Sequence, residues 1–373
     1  MALSRVMKLA FVAGTSLASI TAAQAQEQRT QTAEAAAADI GDIVVTAQKR
    51  SESVQKVPLA ITAVGGEDLQ RRQVTSFEGL APSLPSVNFG KNVGFARIAI
   101  RGLGLDATVG GNEGRVAYHA DGIYISRPSS QLSTFFDINR VEVVRGPQGT
   151  LYGRNATAGA VNVITNDPED TLGGYVKATV GNYSLFQEEG AITGPVSDAV
   201  SARFAFTKTD RGGYGKNLVT GADIDNEHSL GVRGKIKIEP SAAVKLVLSG
   251  DYSYQDDAAF VYHYIGQGNP ASAPRIVGLG GTSPANPRDT FANIPQQDTR
   301  RNWGFGATLT ADLGGANLTS VTGYRDSMAD VVGDHDGTQA DVSMIRTFEK
   351  ARQFSEELRL DGQAGRLKWL LGA

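Results

Sequence analysis

The sequence predicts a transmembrane β-barrel, only partly represented, joined to an N-terminal α+β domain. Three observations predict it: an export signal at the N-terminus, a second half built of roughly ten-residue alternating segments, and aromatic residues near the ends of those segments. The 44 glycines in 373 residues, about 12% against about 7% in ordinary proteins, suit a turn-rich β protein. With 36 Lys+Arg against 39 Asp+Glu the formal net charge is -3, which argues against a strongly basic nucleic-acid binder. There is no cysteine, so disulfide frameworks, Cys-zinc sites and Cys nucleophiles are excluded.

The export signal comes first. Arg5 and Lys8 precede the apolar run Leu9-Ala10-Phe11-Val12-Ala13, and Ala23-Gln24-Ala25 supplies an A-x-A cleavage pattern. That run is shorter than the roughly 20 residues a helix needs to span a bilayer. Residues 1–25 are expected to be a signal peptide, with the mature chain starting near Gln26. No later stretch is long and apolar enough for a transmembrane helix, so insertion would have to be by strands closed into a barrel. Residues 26–50 read as a flexible leader. Inside it lies the β-branched island Asp42-Ile43-Val44-Val45-Thr46-Ala47, read either as a segment that adds to another protein's sheet edge or as the first strand of the next domain.

Residues 51–168 read as the α+β domain. Pro58 to Val64 is strand-like, Gly66-Glu67-Asp68-Leu69 opens a short helix, and residues 75–80 form a second, with Thr75 as N-cap and Glu78 completing a capping box. Arg97 to Gly102 and Val141 to Arg145 alternate and are expected in one small mixed sheet. Between them, Tyr118 to Tyr124 reads as two β runs around an Asp121-Gly122 turn. Motifs that imitate chemistry fail on context. Gly102-Leu103-Gly104 lacks the helix and acidic partner of a dinucleotide site, and Gly146 to Arg154 lacks phosphate-loop spacing. The four histidines (119, 228, 263 and 335) are not at metal-ligand spacing, and Asp334-His335-Asp336-Gly337 reads as a solvated loop. No nucleophile–base pair is visible. The expectation is a protein that is not an enzyme, with no cofactor and no metal.

From Thr171 the period becomes two. Leu230, Val232, Ile236 and Ile238 oppose Arg233, Lys235, Lys237 and Glu239; Val244, Leu246, Leu248, Tyr252 and Tyr254 oppose Lys245, Ser249, Asp251 and Gln255. Trp303, Phe305, Ala307, Leu309, Ala311 and Leu313 form a third apolar face. An antiparallel sheet with one wet face would alternate in the same way; export, strand length and the placement of Tyr252, Tyr254, Trp303 and Phe305 favour the barrel. Gly194-Pro195, Glu239-Pro240 and Gly314-Gly315 read as short turns, and residues 257–299 and 328–349 as long outer loops.

The run Asp137 to Thr165 (DINRVEVVRGPQGTLYGRNATAGAVNVIT) resembles the end of the plug domain of TonB-dependent outer-membrane receptors. Arg97-Ile98-Ala99-Ile100-Arg101-Gly102 and Asp121-Gly122-Ile123-Tyr124 resemble two further plug signatures, in order. The resemblance implies a signal peptide (1–25), a periplasmic leader with a TonB box (26–50), a plug (51–168) and the N-terminal part of a barrel (171–373). It implies Ile43, Val44, Val45, Thr46 and Ala47 as the TonB contact, and a location in the Gram-negative outer membrane among its lipids. It also implies TonB with its inner-membrane energising complex as partner, and an iron complex such as a ferric siderophore as solute. Carbohydrate, vitamin or aromatic-compound uptake, or a surface-adhesion β protein without transport, are the alternatives. Arg101, Glu142, Arg145 and Arg154 are expected to tie plug to barrel, and His119 is a candidate ligand contact. About nine strands are readable against about 22 in plugged transporter barrels, so the chain is expected to be an N-terminal fragment.

Overall fold

A computed structural model of the protein describes residues 44–46, 48–50, 52–105, 111–258, 261–264 and 275–373. The expected signal peptide, most of the leader, and Ile43 and Ala47 lie outside the described residues. The chain divides into two compact units, 1–58 and 59–373.

In the first unit β1 (Val44–Val45) pairs antiparallel with β2 (Glu52–Ser53), Val44 facing Ser53 and Val45 facing Glu52. The Lys49 N–H donates to the Thr46 carbonyl at 2.8 Å between them. The β-branched pair therefore takes the extended form its propensity favours.

The second unit opens with a five-stranded sheet and a separate hairpin. Its strands are β3 (Ala60–Gly65), β4 (Val87–Asn92), β5 (Phe95–Ile100), β6 (Val116–Ala120), β7 (Ile123–Tyr124), β8 (Ile138–Arg145) and β9 (Gly159–Thr165). The order is β3-β8-β9-β6-β7, with β6 and β9 parallel and the other pairs antiparallel. Arg97 to Ile100 does not join this sheet as expected. It pairs with β4 alone, through a two-residue turn in which Val93 and Gly94 both have positive φ (49° and 75°). The Asp121-Gly122 turn is the second of this kind, with φ of 48° and 82°, as a tight hairpin requires. Under the sheet, Phe77, Leu80, Ile100, Val141, Val143 and Val161 form the core with the helix Gly66–Arg71 and the turn of helix Phe77–Leu80. Ser76, not Thr75, caps the latter: its side chain accepts from the Gly79 N–H at 3.2 Å, while the Thr75 carbonyl is taken by the Phe135 N–H. The cap thus sits one residue later than read, which removes Glu78 from the capping-box position.

Nine antiparallel strands follow in chain order: β10 (Gly173–Gly181), β11 (Leu185–Ser197), β12 (Val200–Arg211), β15 (Glu227–Ser241), β16 (Val244–Asp257), β17 (Gln297–Asp312), β18 (Ala316–Asp334), β19 (Met344–Ala364) and β20 (Leu367–Gly372). A small hairpin, β13 (Gly215–Lys216) with β14 (Asp223–Ile224), decorates the connection before β15. Among the described residues no helix is long and apolar enough to cross a membrane.

Three turn expectations shift. Gly194-Pro195 lies inside β11 and Glu239-Pro240 inside β15, each at or beside a register shift. Proline has no N–H to give the ladder, so it marks a bulge rather than the turn, which comes a few residues later. Gly314-Gly315 is a turn, as read. The outer loop expected over 328–349 shrinks to 335–343, because β18 and β19 run on for 19 and 21 residues. Asp334 at the end of β18 and Asp336 in this loop are buried rather than solvated. Asp334 accepts from the N–H groups of Asn293, Asp336 and Gly337, and Asp336 from those of Thr338 and Ser343. Their carboxylates build the loop's turn from within.

Candidate functional site

The barrel strands have two faces, and the five-stranded sheet docks on one of them. On β12, Ser201, Arg203, Ala205, Thr207 and Thr209 are buried while Phe204 is half exposed. The buried face carries the charges expected for a wet lumen, and these meet the domain formed by residues 59–168.

The strongest anchor is Phe136-Asp137, at the entry to β8. Asp137 has a positive φ (52°), which turns its carboxylate toward β12. Arg203 grips it bidentately, Nε to Oδ2 at 2.8 Å and Nη2 to Oδ1 at 2.5 Å, with both side chains buried. The fork-to-fork geometry is the strong form of a charge-assisted hydrogen bond. Asn166 Nδ2 donates to the same carboxylate at 2.8 Å, and the Asp137 N–H donates to Glu189 on β11 at 3.3 Å. Beside it, the Phe136 ring packs on Ala191, Ala205 and Tyr175 with the Arg233 guanidinium 4.3 Å from its centroid. Gly231 on β15 makes room, since a Cβ there would lie 2.8 Å from the Phe136 ring.

A second anchor holds the Asp121-Gly122 turn. Lys235 on β15, buried in the wall, reaches Asp121 at 3.2 Å and Asp167 at 3.1 Å. Asp121 also accepts from the Thr165 N–H and hydroxyl, at 2.8 and 2.7 Å. Burial alone would raise its pKa, but Lys235, Arg233 and the two Thr165 hydrogen bonds together hold it below its ordinary value. One residue further, Ile123 enters a notch in the wall. Gly306 on β17 and Gly323 on β18 face each other in register, and added Cβ atoms would lie 2.8 and 2.6 Å from the Ile123 side chain. Two opposed glycines therefore make a slot one methyl-bearing side chain wide.

Further contacts spread round the wall. Ser129 donates to Glu349 at 2.7 Å, Ser130 to Asn302 at 2.8 Å, and Gln353 to the Tyr124 carbonyl at 2.7 Å. Lys91 on β4 pairs with buried Asp298 at 2.8 Å, and Val93, Phe95 and Leu105 pack on Val331 of β18. Between these anchors lies a cavity of about 110 Å³, lined by Tyr118, Ile125 and Phe135 on one side and Arg233, Trp303 and Gln353 on the other. Its size and polar rim suit several waters.

The four residues expected to tie the domain to the wall are placed differently. Arg145 donates to the carbonyls of Ala60 and Pro85, and Arg154 pairs with Glu113. Glu142 is fully buried, accepting from Arg140 at 2.8 Å and Asn162 at 3.4 Å. Arg101 is exposed at a positive-φ turn (53°). These partners all belong to the same domain, and the ion pairs to the wall come from Asp121, Asp137, Asp167, Lys91 and Arg127. The signal that would have found the first two was present: Asp121 and Asp137 stand at positive-φ turns in the runs that carried the resemblance. His119 is buried in the sheet between the rings of Tyr124 and Tyr152, at 5.5 and 5.3 Å. Of the strand-addition residues, Val44, Val45 and Thr46 are described, the first two forming β1.

A sheet domain held by polar anchors against the charged face of long antiparallel strands defines a plugged outer-membrane-type barrel. Residues 53–160 match the family profile described as the TonB-dependent receptor plug domain. The pesticin receptor of Yersinia pestis is 31% identical over 166 residues, 43% of this chain and 24% of that protein. The iron-regulated outer membrane virulence protein of Vibrio cholerae is 30% identical over 183 residues, 45% of this chain and 28% of that protein. Among solved structures, the ferric yersiniabactin uptake receptor FyuA from Yersinia pestis shares the fold with a TM-score of 0.70 at 18% identity, covering 84% of this chain and 47% of that one. The chain thus spans about a quarter of these sequence relatives and under half of the structural one. Residues 53–160 thus carry a TonB-dependent receptor plug domain, and nine antiparallel strands follow it in the fold that these receptor structures share.

Proposed function

We propose that the protein is an outer-membrane receptor that takes up a ferric siderophore, with the plug closing the lumen until TonB pulls on the leader. The observation that carries this reading is the plug docked on the lumen face through Arg203–Asp137 and Lys235–Asp121. A docked plug must be moved before a bulky solute can pass. The outer membrane holds no nucleotide energy source, so the work has to arrive mechanically from the inner membrane. Residues 43–47 are the grip: a short extended segment can add to a partner's sheet edge, where several backbone hydrogen bonds share the load. The naming of relatives for pesticin, iron regulation and ferric yersiniabactin supports an iron complex as the solute.

Deleting residues 42–47 in the receptor as encoded by its whole gene tests this. Uptake of radiolabelled iron–siderophore is expected to fall to background while surface binding persists. Uptake that survives the deletion refutes the TonB coupling, and binding of carbohydrate or vitamin in place of any iron complex refutes the solute assignment.

A further inference from the structure

The cavity between plug and wall has a chemical bias that seating the plug does not require. On the lumen face, Arg233 of β15, Asp251 of β16, Gly304 of β17 and Arg325 of β18 stand opposite one another in register, one row across four strands. Gly304 leaves the space that Arg325 needs, since a Cβ there would lie 2.6 Å from Arg325 Cδ. Arg325 crosses this gap and reaches Asp251 at 2.5 Å. From the plug comes Arg127, at the start of the turn Pro128–Leu132. Arg127, Arg233, Asp251 and Arg325 all line the same cavity of about 110 Å³.

The three guanidinium groups outnumber the acceptors offered to them. The carboxylates beside the cavity are spent: Asp251 on Arg325, Asp121 on Lys235 and Asp326 on Arg352. Arg233 donates from Nη1 to the Phe136 carbonyl at 3.0 Å and stacks on the Phe136 ring, and among the described residues it has no ion pair. Arg127 comes no closer than 3.7 Å to Glu349. The Nε atoms of Arg127 and Arg325 are buried and meet no acceptor among the described residues. Buried donors without acceptors are costly and uncommon. Water could accept from them but would leave the excess charge uncompensated, whereas an anion answers both demands. The donors approach from β15, from β18 and from the plug. A planar carboxylate or a guanidinium-sized cation suits that set poorly; a tetrahedral oxyanion offers one oxygen to each. A cavity with room for several waters has room for four oxygens around one centre, but not for a bulky iron complex.

We propose that Arg127, Arg233 and Arg325 form a binding site for a small tetrahedral oxyanion such as inorganic phosphate, held between plug and wall. The bound anion would join the plug's Arg127 to the wall's Arg233 and Arg325, adding an anchor that a soluble ion supplies. Purified full-length receptor in detergent would be equilibrated by dialysis with radiolabelled phosphate, at ionic strength held constant with sodium chloride. One phosphate per receptor is expected, displaced by sulfate and not by chloride at equal concentration. Arg325→Gln should weaken binding at least about ten-fold, the effect of losing one charge-assisted hydrogen bond. Asp251→Asn should act in the opposite direction and tighten binding, because it removes the carboxylate that competes for Arg325; a general loss of structure would weaken both variants. No bound phosphate, displacement by equimolar chloride, a change under about two-fold in Arg325→Gln, or weaker binding in Asp251→Asn would each overturn the proposal. The site is independent of the solute, and surface binding of the iron complex, measured separately, reports on the uptake reading alone.

Discussion

Replacing Arg203 by methionine should loosen the plug where it enters β8. The substitution keeps most of the side chain's length and removes the charge, leaving the Asp137 carboxylate buried without its bidentate partner. Removing one member of a buried pair costs about 3–5 kcal/mol, because the remaining charge is stranded. Asn166 still donates to Asp137 at 2.8 Å, so the lower end, about 3 kcal/mol, applies. That raises the local opening equilibrium about 150-fold. Amide hydrogen exchange across Ile138–Arg145 in the detergent-solubilised receptor reads it directly. The double variant Arg203→Met/Asp137→Asn supplies the cycle: with both charges gone, most of the loss should return, giving a coupling of about 2 kcal/mol. Exchange within two-fold of wild type in the single variant, or a coupling near zero, would refute the claim that this pair seats the plug.

Gly323→Ala should obstruct the Ile123 slot by about 1–3 kcal/mol, because its Cβ would fall 2.6 Å from Ile123 Cγ2 and 2.9 Å from Ser355 Oγ. Cells carrying it should admit a bulky antibiotic, and Ile123→Ala in the same background should reverse this. The Asp121 anchor has a signed pH dependence. Its carboxyl titrates below the ordinary 3.8, so the stabilisation is complete above about pH 5 and is lost as pH falls below 3.8 toward the folded value. Exchange at the Asp121-Gly122 turn should therefore be flat from pH 5 to 8 after correction for intrinsic rates and rise in acid, and Asp121→Asn should abolish that acid step. Asp336→Ala should strip the N–H groups of Thr338 and Ser343 of their acceptor, at about 1–3 kcal/mol, and speed proteolysis within 335–343 while uptake-independent barrel assembly persists.

The barrel was legible in the sequence because its signal is repetitive. Nine strands with period two leave the face of each residue fixed by its parity, so Lys235 and Arg233 could be assigned to the lumen side before any geometry was known. The plug's hairpin turn at Asp121-Gly122 was legible for a local reason, the demand for positive φ at both positions. What the sequence concealed was tertiary. Whether Arg145 or Asp137 faces the wall depends on how the plug sheet is rotated within the barrel, and no local pattern encodes that rotation. The burial of Asp334 and Asp336 was hidden for a similar reason, since an acidic, glycine-bearing loop reads as solvated unless its own N–H groups are seen to close on the carboxylates. Proline misled the turn assignments because a bulge and a turn make the same demand, a missing ladder hydrogen bond.

The chemistry of the plug–wall contacts bears on how a plug can be both tight and movable. An apolar interface of the same extent would hold the plug at rest, but separating it would expose its whole area to water, at about 25 cal/mol per Å². Buried ion pairs behave otherwise. Arg203 and Asp137, or Lys235 and Asp121, gain little net free energy over well-packed apolar residues, since desolvation offsets their attraction. When the surfaces part and water enters from the adjoining cavity, each charge regains hydration, so the separated state is not heavily penalised. Geometry rather than adhesion then sets the rest position. The bidentate fork at Asp137 fixes orientation, and the Gly306–Gly323 slot, which accepts Ile123 in one register, fixes height along the wall. A plug seated in this way is specific in place and modest in strength, as the proposed pull through a single strand of backbone hydrogen bonds requires.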